Sequence, residues 1–232
     1  MKQPIVFAIE APAVCSLPIR GSDQRFPVNR IFCVGRNYAE HAREMGHNPD
    51  REPPFFFMKP ASAIVADGGV FPYPGLSKDV HHEIELVVAL ARGGSNIAAA
   101  QALAHVYGYA VGLDMTRRDL QGEAKKLGRP WDTGKAFDHS APCSEVAAAA
   151  DIGHPAKGAI ALHINGQPRQ QGDLADLIWN VPDTIASLST LFSLQAGDLI
   201  FTGTPAGVGP VQRGETLVGT VAGVGELRTR VV

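Results

Sequence analysis

The sequence predicts an α+β fold dominated by mixed β-sheets with few, peripheral helices. Three observations point there. Seventeen prolines and 25 glycines are spread through 232 residues and cut the chain into short segments, as strands and turns require. Apolar runs of strand length recur, the most apolar being His81 to Leu90. Helical patterns are short, and the clearest follows Pro182, with Ile185, Leu188, Leu191 and Phe192 on one face.

Taken in order, Ile5 to Ile9 reads as a strand followed by a Pro-rich connection, so residues 1–28 form an N-terminal arm and 29–232 the main domain. Arg30 to Val34 is strand-like, and Asn37 to Met45 is a short polar helix ended by Gly46. Phe55 to Lys59 and Ala63 to Val65 are further strands. Ser95 stands where it would cap an Ala-rich helix through Val106. Tyr107 to Asp114 is a strand, and Thr116 with Asp119 resembles a capping box opening a helix. Ala159 to Ile164 leads into an Asn165-Gly166 hairpin turn, and Gly197 to Val232 is a series of short β segments.

Composition excludes several classes. The net charge of −2 offers no electrostatic footprint for nucleic acid. Arg117-Arg118 and Lys125-Lys126 alternate with Asp119 and Glu123, which reads as a solvated helix face. Three scattered cysteines without a CxxC pair suggest neither a disulfide framework nor a thiolate zinc site. No apolar run reaches the ~20 residues of a membrane helix, and the N-terminal stretch is too short and interrupted for a signal peptide. A cytoplasmic protein with a small-molecule substrate is the expectation.

The strongest chemical signal is His82-Glu83-Ile84-Glu85-Leu86. In a strand, Glu83 and Glu85 point to one face, ~6.6 Å apart along the backbone. Two carboxylates in an apolar segment repel, and either a shared proton or a cation relieves them. Asp114, at the end of another apolar strand, offers a third oxygen. Such a set suits Mg²⁺, Mn²⁺ or Ca²⁺ over zinc. A sheet with an exposed glutamate face is the alternative. His81 and His82 face opposite ways and cannot both bind one ion.

His41 and Glu44 stand three apart on the expected polar helix, where they are neighbours. They are suited to hold a general base in one tautomer, or equally to be plain surface. Arg118 and Gln121 follow Asp114 closely enough to face the same cleft, and Lys135 lies in an aromatic, turn-rich stretch. Arg36 adds positive charge near the polar helix. The Thr202-Gly203-Thr204-Pro205 turn lacks the ending of a phosphate-binding loop.

Together these runs resemble the fumarylacetoacetate hydrolase family from Ile31 onward. The resemblance rests on Gly35-Arg36-Asn37-Tyr38 with His41 and Glu44, His82-Glu83-Ile84-Glu85-Leu86, and Asp114-Met115-Thr116 with Arg118 and Gln121. Pro130-Trp131, Lys135-Ala136-Phe137 and the Thr202–Pro205 turn with Gly207-Val208-Gly209 complete it. The resemblance implies a mixed β-sandwich or roll, usually dimeric, and C–C bond hydrolysis of a 2,4-diketo acid. It implies Glu83, Glu85 and Asp114 as ligands of Mg²⁺ or Mn²⁺, and His41 and Glu44 as a water-activating pair on a lid. Lys135 would steady an enolate, and Arg118, Gln121 and Thr204 would touch substrate. Oxaloacetate decarboxylation and hydratase or isomerase chemistry are the alternatives within the family.

Overall fold

A computed structural model describes residues 6–40, 52–66 and 69–232. The architecture is α+β, with mixed sheets and short helices at their margins. The largest sheet has eight strands. Phe55–Lys59 forms one edge, followed by Ile31–Gly35, Leu199–Phe201, Ile84–Leu90, Val106–Leu113, Ala141–Cys143 and Ile64–Ala66, with Ala147–Ala148 also on Val106–Leu113. A five-stranded sheet runs Gln167–Asp173, Ala159–Ile164, Thr216–Val221, Gly225–Val231 and Val70–Phe71. Thr116–Arg117, Val80–His82 and Gly209–Pro210 form a small third sheet.

Ile84–Leu90 is central and fully buried, which explains its apolar run on both faces. Ile84, Leu86, Val88 and Leu90 enter a core shared with Ile160, Leu162 and Leu217 of the second sheet. The helix Val181–Leu191 closes that core with Ile185 and Leu188. Val87 and Ala89, on the opposite face, join a second core with Ile31, Cys33 and Phe201. Glu85 shares their face by strand alternation. The Asn165-Gly166 turn has positive φ at both residues, 51° and 80°, as a type I′ hairpin needs.

Several local expectations fail for identifiable reasons. Residues 6–9 form no strand; the N-terminal hairpin is Ser16–Ile19 with Ser22–Pro27, and it buries Leu17, Ile19 and Phe26 in the second core. Ser95 caps nothing, because the helix is only Ala99–Ala102, followed by a 3₁₀ turn, and the next strand starts at Val106. Thr116 belongs to a strand, and the helix begins at Arg118. Asp119 accepts hydrogen bonds from Ser77 Oγ and Lys78 N, so it ties this helix to the preceding loop. The apolar face of Val181–Leu191 is shorter than its pattern, since Leu191 is exposed. Of the helix expected at 37–45, residues 41–45 lie outside the described residues.

Candidate active site

The expected strand from His81 to Leu90 is broken at Glu83, between Val80–His82 and Ile84–Leu90. The break lets the chain pass from the small sheet to the large one. In the antiparallel register, Glu85 pairs with Gly112 and Ile84 with Leu113, so Asp114 emerges beside Glu83. Asp114 N–H donates to Glu83 O at 2.8 Å, fixing that juxtaposition. Oxygens of Glu83, Glu85 and Asp114 lie within 4.8 Å of one another, and all three residues are buried. The face is therefore not solvent-exposed.

Cations partly offset this charge. Lys135 Nζ bridges Glu83 Oε2 at 2.7 Å and Asp114 Oδ2 at 2.5 Å. Arg118 donates to Glu83 Oε1 at 2.5 Å and to Gln121 Oε1 at 2.7 Å. Lys59 Nζ lies 2.8 Å from Asp114 Oδ1. Burial works against the charge on Lys135, but Asp114 and Glu83 prevail and leave its pKa above the ordinary lysine value. Glu85 has no ion pair among the described residues; Gly203 N–H donates to its Oε2 at 2.7 Å. Burial, then Asp114 and Glu83, push the Glu85 pKa well above the carboxylate range. Three buried carboxylates converging on one point, one of them without a cation, fit a hard divalent ion with oxygen donors. The donor set is all oxygen, as Mg²⁺ or Mn²⁺ prefers.

The surrounding loops explain why this geometry forms. Gly203 has φ +98°, and a Cβ there would sit 2.7 Å from Asn37 Cβ, so only glycine allows the turn to reach Glu85. Asn37 Nδ2 donates to Thr202 O at 2.7 Å and to Trp179 O at 2.9 Å, clamping the start of the 37–40 segment against that turn. Arg36 itself has φ +58° and projects into the pocket. One pocket is lined by Arg36, Glu83, Glu85, Asp114, Arg118, Gln121, Lys135 and Thr204, together with Phe55, Phe57, Lys125 and Trp131. His41 and Glu44 lie outside the described residues.

Gln170, Lys59 and Lys125 were not legible as site residues. Gln170 is buried and donates through Nε2 to Thr204 Oγ1 at 2.8 Å and to Pro205 O at 2.9 Å. Its Oε1 accepts from Ile84 N, between the two glutamates, at 3.1 Å. The same oxygen meets His82 Nδ1 at 2.9 Å, so His82 carries its proton there. Burial keeps that imidazole neutral by lowering its pKa. Thr204 accepts from Gln170, which leaves its own hydroxyl proton for a ligand. His81 instead pairs with Asp79 at 2.9 Å, so neither histidine joins the carboxylate cluster. Lys59 ends an edge strand and gives no spacing signal, yet it is 1% exposed. The helix face with Asp119, Glu123, Lys125 and Lys126 is exposed as expected, while Arg118 is half-buried and lines the pocket, which Lys125 borders as well.

Comparison with known proteins agrees with this geometry. The profile of the family described as fumarylacetoacetate (FAA) hydrolase C-terminal matches residues 30–232. A fumarylpyruvate hydrolase from Ralstonia sp is 45% identical over 185 residues, covering 79% of this chain and 96% of the relative. The oxaloacetate tautomerase YcgM from Escherichia coli is 42% identical over 208 residues, covering 89% and 94%. The crystal structure of fumarylpyruvate hydrolase from Pseudomonas aeruginosa, in complex with Mn²⁺ and pyruvate, superposes with a TM-score of 0.93 at 55% identity, covering 99% of each chain. Among the described residues no helix is long and apolar enough to cross a membrane. The chain is a member of the fumarylacetoacetate hydrolase family, with hydrolases and tautomerases among its relatives.

Proposed function

We propose that this chain hydrolyses the C–C bond between the acyl and pyruvoyl parts of a 2,4-diketo acid, with fumarylpyruvate giving fumarate and pyruvate. The observation that carries the proposal is the single pocket in which Glu83, Glu85 and Asp114 face Arg118, Gln121, Lys135 and Thr204. The Mn²⁺ and pyruvate of the P. aeruginosa neighbour support a divalent ion and a pyruvoyl group here. Glu83, Glu85 and Asp114 would hold Mg²⁺ or Mn²⁺. Bound there, the ion supplies a Lewis acid for the pyruvoyl oxygens and for the negative charge that develops on them.

The chain's own groups then divide the work. Gln121 and Thr204 hold the pyruvoyl end, with Arg118 anchored on Glu83 beside it. His41, oriented by Glu44, takes a proton from water, whose oxygen bonds to the acyl carbonyl carbon. The C–C bond to the pyruvoyl methylene breaks, and its electron pair becomes the pyruvate enolate. Lys135, fully cationic in its buried position, stabilises that charge. The proton held by His41 returns to the methylene carbon, so one water is consumed and two acids leave. Residues 29–232 contain every one of these groups.

A second reading is isomerase or decarboxylase chemistry on oxaloacetate, of which keto–enol conversion is the one favoured by the identity to the E. coli tautomerase. Those reactions need the cation site but no activated water. A panel of fumarylpyruvate, maleylpyruvate, acetylpyruvate and oxaloacetate with Mg²⁺, followed for pyruvate and, with oxaloacetate, also for the ultraviolet absorbance of its enol, separates them. Turnover confined to oxaloacetate would overturn the hydrolase reading.

A further inference from the structure

Part of the pocket lining has no role in the chemistry above, and it begins at Phe57, whose ring centroid lies 4.9 Å from Lys135 Nζ. Its wall is aromatic. The Phe55 and Trp131 rings meet edge to face at 90° with centroids 5.3 Å apart, and Phe57 lies 5.9 Å from Trp131. Each outer ring carries a cation. Lys125 Nζ is 4.9 Å from the Trp131 centroid, and Arg36 Cζ is 5.3 Å from that of Phe55. Lys59, Arg118 and Lys135 each pair with a carboxylate, whereas Lys125 and Arg36 form no ion pair among the described residues.

The helix Arg118–Lys126 explains the layout. Arg118, Gln121 and Lys125 are spaced three and four apart, so they share one face. Lys125 stands about 10 Å beyond Arg118 along the axis, at 1.5 Å per residue. One helix face therefore runs from Arg118, paired with Glu83, to the exposed Lys125, a distance on the scale of an extended seven-carbon diacid. The Lys125 side chain stays accessible to solvent, but its ammonium end is crowded. Burial of that end, followed by Arg118 and Arg36, lowers its pKa to about 8. Two cations on aromatic faces, neither in an ion pair among the described residues, make a place for an anion.

We infer that Lys125 and Arg36 form the receptor for the distal carboxylate of the substrate, and that the Phe55–Phe57–Trp131 wall selects a flat, unsaturated segment between the two acid ends. A conjugated enoyl chain can lie against ring faces, and its terminal carboxylate then reaches both cations. A substrate ending in a methyl group leaves both unpaired. The inference rests on the hydrolase reading and assigns the residues that recognise the acid end of the substrate remote from the pyruvoyl group.

The test compares kcat/KM for fumarylpyruvate and acetylpyruvate in the Mg²⁺-loaded wild type, Lys125→Met and Lys125→Arg. Loss of one charge-assisted bond should reduce the fumarylpyruvate-to-acetylpyruvate ratio by about 10- to 100-fold in Lys125→Met, chiefly through KM. Lys125→Arg should restore most of it. An unchanged ratio in Lys125→Met, or a ratio that Lys125→Arg fails to restore, would overturn the receptor. If the wild type cleaves neither compound, the hydrolase reading fails separately. Calorimetric binding of the same two acids to the same proteins then decides the receptor. It stands if wild type binds fumarylpyruvate more tightly and Lys125→Met loses that preference, and it falls otherwise.

Discussion

Glu85→Gln should stabilise the metal-free protein and abolish its stabilisation by Mg²⁺. The amide keeps the volume and can still accept from Gly203 N–H, which donates at 2.7 Å to Glu85. What it removes is the cluster's one carboxylate without a cation among the described residues, with Glu83 and Asp114 oxygens within 4.8 Å. At an effective dielectric constant of ~20, one such repulsion costs about 3 kcal/mol. Lys135, Arg118 and Lys59 already neutralise much of the charge on the other two, so the net relief is about 1–3 kcal/mol. The sign follows from the raised Glu85 pKa. A raised folded-state carboxylate pKa makes Glu85 a full cost at every pH above that pKa, and the cost shrinks as pH falls below it until it is gone below the ordinary pKa of the unfolded chain. For a chain of this size the relief is about 3–9 °C in Tm at neutral pH in chelator. With saturating Mg²⁺ the wild type gains stability by mass action, on the order of 4 kcal/mol at a thousandfold excess over Kd, and the variant does not. Differential scanning calorimetry with chelator and with Mg²⁺ measures both. A chelated variant less stable than wild type, or an undiminished Mg²⁺ shift, would refute the reasoning.

Three other perturbations probe separate parts of the site. His41→Ala should lower kcat for fumarylpyruvate by about 10²–10⁴-fold while affecting oxaloacetate conversion less; equal losses in steady-state assays would remove His41 from water activation. Lys59→Met should lower the metal-free Tm by about 6–12 °C, from roughly 3 kcal/mol for breaking a buried pair with Asp114, and an unchanged melting curve would contradict that. Lys125 is cationic below its pKa of about 8 and faces Arg118, Arg36, Lys135 and Glu83. Accordingly, kcat/KM for fumarylpyruvate should fall as pH rises through 8, a limb absent for acetylpyruvate and from Lys125→Arg. Matching pH profiles for the two substrates would exclude Lys125 from distal recognition.

The legible part of this molecule is the part governed by short-range periodicity. Alternation placed Glu85 on a buried strand and Asp114 at the end of its neighbour, and the register Glu85 to Gly112 is what brings them together. Asn165-Gly166 announced its hairpin because its φ values demand those residues. The strand break at Glu83 was invisible, since a residue passing between two sheets keeps the same apolar neighbours in sequence. Lys59 and Gln170 were equally hidden. Their partners, Asp114 and Thr204, stand 55 and 34 positions away, and lone polar residues at strand positions look like surface until the sheets close over them. The solvated reading holds for Lys125, Lys126, Asp119 and Glu123, which are exposed, but it could not show that Lys125 also borders the pocket, where its ammonium lies 4.9 Å from the ring of Trp131 just before the next short helix.

Hydrolysis in a charged, cation-binding pocket is the central claim, and water's fate tests it most directly. The Mg²⁺-loaded protein is incubated with fumarylpyruvate in water enriched in heavy oxygen, and the products are weighed by mass spectrometry. The account predicts equal amounts of fumarate and pyruvate, one heavy oxygen atom in each fumarate, and no products in chelator. Intact fumarylpyruvate, or cleavage that leaves fumarate unlabelled or proceeds in chelator, would contradict it.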